Sequence, residues 1–178
     1  MDASFLPGLK AAVLASPELS AVGRNDTELA RLLNLPSTFV VWRSTTEADL
    51  IADAIVWANL TPADTADGTA LFTNRALVCQ AKQINLQIML QGRQSIPSGK
   101  LNFRQGLQDA LLNVPAGAGG TLLDAGWLGN GKVKAAISRF ATVAEKVFAT
   151  GTGTAPTPGN LVFDGSVSIN DIGDMWNL

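Results

Sequence analysis

The sequence predicts a mainly α protein: a helical bundle over residues 1–150 with a glycine-rich loop, then a flexible spacer and a C-terminal β arm over 151–178. Three observations carry this prediction. Apolar residues recur at spacings of three and four over long stretches, the period of a helix face packed in a bundle. Six glycines fall between 117 and 131, and "TGTGTAPTPGN" follows at 150–160; neither stretch can stay helical. The segment "LVFDGSV" at 161–167 reads as a strand, with a DG-turned hairpin as the competing reading. The 178 residues suit one domain, and 47% hydrophobic content is ample for a core.

The elements follow in order. "LPGLKAAVLAS" at 6–16 is a short helix with Pro7 in its first turn, where a missing N–H costs little. "NDTELARLLNL" places Asn25 three residues before Glu28, a reciprocal capping pattern. "STFVVW" at 37–42 is β-branched and apolar, a strand or a buried bend. "STTEADLIADAIVWANL" repeats the capping spacing at Ser44 and Glu47.

A helix over 71–93 is the centre of the expected bundle. Leu77, Ala81, Ile84 and Ile88 step 4-3-4 as its packing seam, and Cys79, Leu86 and Leu90 lie nearly opposite. Two apolar faces predict a helix covered from two sides. "SGKLNFRQGLQDALLNV" at 98–114 is the next helix. "KVKAAISRFATVAEKVFA" at 132–149 has the most regular period of all, Val133, Ile137, Phe140, Ala144 and Val147. Ser168 caps a last turn or two toward Trp176.

Composition excludes much chemistry. There is no histidine, and the single cysteine, Cys79, reads as a small buried apolar residue. Intramolecular disulfides, Cys/His zinc sites and histidine-dependent triads and dyads are therefore ruled out. The net charge is −2, from 13 basic and 15 acidic residues without a long run of either sign, so no concentrated positive field is visible. The first residues lack the basic-then-apolar order of a signal peptide, and no apolar run is long enough to cross a bilayer. These features predict a soluble, cytoplasmic, non-enzymatic protein without cofactor or metal.

Other stretches and side chains carry weaker signals. "PAGAGG" at 115–120 lacks the Gly-Lys-Ser/Thr ending and the preceding strand of a phosphate loop. "DTADG" at 64–68 lacks the alternating acids of a calcium loop. Asp49 and Asp53 sit at the polar edge of a helix, and Asp171 and Asp174 are three apart near the end. Trp42 and Trp57 read as core. Trp127 and Trp176, in a glycine-rich loop and at the chain end, are candidate partner anchors.

Gln80, Gln83, Gln87 and Gln91 form a row centred about 85° to one side of the seam. An amide offers two donors and an acceptor without the desolvation cost of a charge. Such a row suits a helix side that meets polar backbone or another subunit; its alternative is an ordinary solvated flank. With Trp127, Trp176 and the arm residues Leu161, Phe163 and Val167, these glutamines are the expected protein interface.

Four stretches, "STFVVWRSTT" (37–46), "ALFTNRALVCQAKQINLQIMLQGR" (70–93), "FRQGLQDALLNVPAGAGG" (103–120) and "FATGTGT…LVFDGSVSINDI" (148–172), resemble small helical virion proteins of tailed bacteriophages, of the head–tail connector or adaptor group. The resemblance spans most of the chain and brings no catalytic motif. It implies a homo-oligomeric ring, commonly of twelve copies, in the virion neck, assembled in the host cytoplasm. Its implied partners are the portal protein, a tail or nozzle protein, and DNA sliding through the channel without sequence recognition. A terminal arm is often lent to the portal or a neighbour. Two alternatives stay open. One is a capsid decoration, or cement, protein. The other is a small helical nucleic-acid-binding packaging or regulatory factor, which would rely on Lys132, Lys134, Arg139 and Lys146 sharing one helix.

Overall fold

A computed structural model describes residues 1–61, 70–115, 122–128 and 132–178, with backbone alone for 70–75. From the N-terminus, a 3-10 turn (Ala3–Phe5) leads into α1 (Leu6–Ala15), α2 (Pro17–Ser20), α3 (Asp26–Leu33) and β1 (Pro36–Trp42). The middle of the chain carries β2 (Thr46–Glu47), α4 (Ala48–Ala54), α5 (Trp57–Leu60), α6 (Ala70–Leu90) and β3 (Ser95–Ile96). It continues through α7 (Leu101–Leu111), β4 (Val114–Pro115), β5 (Leu122–Leu123) and α8 (Val133–Ala136). The last part adds β6 (Ser138–Thr142), α9 (Val143–Phe148) and α10 (Ile169–Trp176). About 52% of the described residues are helical and 15% are strand, in small two-stranded sheets pairing β1 with β6, β2 with β3 and β4 with β5. The fold is mixed α/β rather than a helical bundle.

The chain does not divide at residue 150. Its contacts separate into one unit of Met1–Trp42 with Arg139–Leu178, and a second of Arg43–Ser138. In the first, α1, α3, α9 and α10 pack on one another. Their core joins Leu9, Val13, Leu29 and Leu33 to Phe163, Val167, Ile172 and Met175 from the end of the chain. Phe163 meets Phe5 at 5.5 Å and Phe148 at 6.0 Å between ring centroids. Phe163 and Val167 of the expected arm are thus core residues, because with α9 and α10 they cover the buried apolar side of α1 and α3.

Residues 150–160 are not a free spacer. They run beside β1: Val40 N–H donates to the Gly153 carbonyl (2.8 Å), Gly159 N–H to the Val40 carbonyl (2.8 Å) and Trp42 N–H to the Gly159 carbonyl (3.0 Å). Gly153 has φ +64°, and a Cβ there would lie 2.1 Å from the Phe39 ring. Glycine serves close approach here, not flexibility. No strand forms at 161–167; the segment is held by side chains and then enters α10 through the Ser168–Asp171 capping box.

The helix expected over 132–149 is broken. α8 ends at Ala136, residues 138–142 form β6, and α9 begins after Thr142. Pairing with β1 outweighs the local helical period. Thr142 caps α9, accepting from Glu145 N–H (3.1 Å) while Glu145 accepts from Thr142 N–H (2.8 Å). Phe140, a member of the expected seam, is exposed as a result.

In the second unit, α6 packs against α5, α7 and β4. Cys79 and Leu86 are the buried row of α6, facing a core that includes Leu60, Leu107, Leu111 and Val114. The 4-3-4 seam lies on the other side, with Leu77 60%, Ile84 47% and Ile88 68% exposed. The row expected to hold the bundle together therefore faces outward, and α6 is packed on one side only among the described residues. The Ser44–Glu47 capping box does not form; Thr46 and Glu47 pair with β3, and α4 starts at Ala48 without a side-chain cap. Asn25 does cap α3, accepting from Glu28 N–H (3.2 Å). The segments 64–68 and 116–120 lie outside the described residues.

Candidate protein–protein interface

The outward side of α6 exposes regularly spaced apolar residues. Leu77, Ala81, Ile84 and Ile88 form an exposed apolar ridge, with Val78 beside it. Contiguous exposed apolar patches are a feature of interaction sites. α6 is fixed in place by its inner row and by Lys82, whose ammonium donates to the carbonyl oxygens of Asp109 and of Leu112 (2.7 Å) at the end of α7. Burial pushes the Lys82 amine below its usual range, and the charge sits where the carbonyl end of a helix favours it.

The glutamine row borders this ridge. Gln80, Gln87 and Gln91 are exposed; Gln83 is half-buried and donates through Nε2 to the Leu60 carbonyl (3.3 Å). Gln83, Gln87 and Gln91 line a groove of about 650 Å³ between α4, α5 and the C-terminal half of α6. Gln80 lies outside its lining. Trp57, 44% exposed, closes one side, with its indole N–H donating to the Ala52 carbonyl (3.0 Å). Trp57 was expected in the core; a four-residue α5, set off from α4 by a break at Ile55–Val56, turns it outward.

No family model, curated protein or solved structure matches this chain.

The other expected interface residues are placed differently. Trp127 is 6% exposed, inside the second unit. Asp124 fixes its loop, accepting from the N–H groups of Gly126 (3.1 Å), Trp127 (2.8 Å) and Leu128 (2.6 Å). Phe163 and Val167 are buried in the first unit, while Leu161 is half-buried. Trp176 packs half-buried against the same core, with the Arg24 guanidinium 5.5 Å from its ring centroid. These four aromatic or branched side chains, Trp127, Phe163, Val167 and Trp176, therefore stabilise the chain itself and are not an open docking surface.

The basic row does not exist. Lys132 precedes α8, Lys134 lies in α8, Arg139 in β6 and Lys146 in α9. Arg139 is committed to carboxylates: its guanidinium donates to both oxygens of Glu145 (2.6 and 2.7 Å) and to Asp164 (2.8 Å). Burial pushes the Glu145 carboxyl up, but Arg139 and the N–H groups of Thr142 and Gly165 outweigh it and hold the group below its usual range. This cluster ties the chain's last segment to β6 and α9, and nothing in the apolar period pointed to it. The signal that could have revealed it was the Thr142–Glu145 capping spacing inside the supposed long helix.

Among the described residues, no three His, Cys, Asp or Glu side chains gather as a metal site, and no helix is long and apolar enough to cross a membrane. Asp49 and Asp53 are exposed on α4, Asp171 belongs to the α10 cap, and Asp174 is exposed.

Proposed function

We propose that this chain is a structural, non-enzymatic assembly subunit, a head–tail adaptor whose copies form a ring between portal and tail of a tailed phage, around the DNA channel. The observation that carries the reading is the ridge Leu77–Ala81–Ile84–Ile88, exposed on α6 at the spacing with which helices interdigitate. The positions flanking it are Gln80 and Gln87 on one side, Val78 and Asn85 on the other. None is charged, so an identical ridge meets no like-charge repulsion. The resemblance of the four stretches quoted above supplies the phage context, and a net charge of −2 suits a channel that lets DNA slide.

In this reading the subunit contact lies on α6, because Phe163 and Val167 of the expected arm are buried in the first unit. The test is incorporation into virions by chain carrying Ile84→Asp and Ile88→Asp, with copies counted by mass spectrometry against the portal protein. The adaptor reading expects wild-type chain at the portal's copy number and the variant absent though folded. Copy number scaling with the major capsid protein would favour the cement reading instead. Full incorporation of the variant would remove the ridge from the assembly.

A further inference from the structure

The groove beside the ridge has a ligand chemistry of its own. We propose that it binds an extended, uncharged stretch of polypeptide from an assembly partner by its backbone. This deepens the interface reading of the glutamine row, yet does not require a ring.

The warrant is a match of spacings. Gln83, Gln87 and Gln91 are four residues apart on one helix, and the Gln91 N–H to Gln87 carbonyl bond (2.8 Å) carries the helical geometry through the last of them. Their amides therefore recur about every 6 Å. Along an extended chain, groups on the same side recur about every 6.6 Å. Over two intervals the mismatch is about 1 Å, which glutamine side chains absorb by rotamer. Each amide can both donate to a carbonyl and accept from an N–H, as peptide backbone requires. Gln83 already models this pairing, since it donates to the backbone carbonyl of Leu60.

The rest of the lining agrees. Ala48, Ala52, Leu86 and Leu90 form an apolar floor, and the alanines leave depth for small side chains on alternate residues. The lining carries one acidic and one basic side chain, Asp49 and Arg93, so its net formal charge is zero. Trp57 is held by its own hydrogen bond and presents a fixed apolar wall. A volume of about 650 Å³ is in the range of built ligand sites.

The experiment pans a random heptapeptide display library against the full chain and measures the selected peptides, capped at both ends, by fluorescence anisotropy. Gln87→Ala with Gln91→Ala is expected to weaken binding about tenfold. Gln80→Ala, outside the groove, should leave it unchanged. N-methylation at alternate backbone positions should abolish binding, whereas methylation at the intervening ones should be tolerated. Alanine is a strong helix former at exposed positions, so circular dichroism should show an intact fold. The Ile84→Asp/Ile88→Asp chain should bind the peptides normally, which separates this result from failure of the ring. The proposal is overturned if no selected peptide responds to the two glutamine substitutions, or if N-methylation has no positional effect. It is equally overturned if maltohexaose competes at similar concentration, which would make the groove a saccharide site.

Discussion

Asn34 holds both backbone groups of Val167: its Nδ2 donates to the Val167 carbonyl (2.8 Å), and its Oδ1 accepts from the Val167 N–H (2.9 Å). One side chain at the end of α3 thus does for a strandless segment what a neighbouring strand would do. Asn34 also donates to the Ala30 carbonyl (2.7 Å), which fixes it against the helix it follows.

Asn34→Ala should destabilise the first unit by about 2 kcal/mol, because two half-buried backbone groups lose their partner at once. Urea denaturation measures it. Loss below about 0.5 kcal/mol would mean that water replaces the amide without penalty.

Gly153→Ala should cost about 2 to 4 kcal/mol, combining an unfavourable positive φ with a Cβ placed in the Phe39 ring. In a Phe39→Ala background the steric part disappears and the conformational part stays. The double-mutant cycle should therefore show coupling of about 1 kcal/mol or more. Additive effects would detach residues 150–160 from β1.

Stability should fall in acid through Glu145. Its folded carboxyl titrates below the ordinary value of 4.5, so the stabilisation is fully present above about that pH. It is lost as pH falls through the lower folded value. Glu145→Gln should remove about 3 kcal/mol at pH 7, leaving Arg139 without its main buried partner. It should also flatten the fall in unfolding free energy as pH drops below about 4.5. An unchanged acid limb in the variant would assign acid sensitivity to other groups.

The two faces of α6 should respond oppositely to truncation. Leu86→Ala is expected to cost about 3 kcal/mol, the range for a fully buried leucine. Ile88→Ala should change stability of the isolated chain by less than about 0.5 kcal/mol. Thermal unfolding of both variants, with light scattering for association, gives the comparison. A large loss from Ile88→Ala in the monomer would place the ridge inside.

Legibility followed the range of the interactions. Several features whose partners sit within one turn agree between sequence and structure, namely Asn25 starting α3, the approximate spans of α6 and α7, and Ser168 starting α10, whereas the equally local Ser44–Glu47 box gives way to β2–β3 pairing. Capping residues and periodic apolar positions carry those features within a few residues. The glutamine row was likewise readable as a row, since four-residue spacing fixes a common side of a helix. Residues 138–142 escaped because their decisive partner, β1, lies about a hundred positions away in the chain.

By itself the sequence determined that α1, α3, α6 and α7 turn helical, that no histidine chemistry is present, and that α6 has two apolar sides. Only the tertiary structure decided which of those sides is spent within the chain, and that residues 150–160 and the final residues belong to the first unit. Periodicity specifies that a face is apolar, but not what covers it. That depends on long-range fit, where Cys79 and Leu86 met α5, α7 and β4 while Ile84 and Ile88 stayed in solvent.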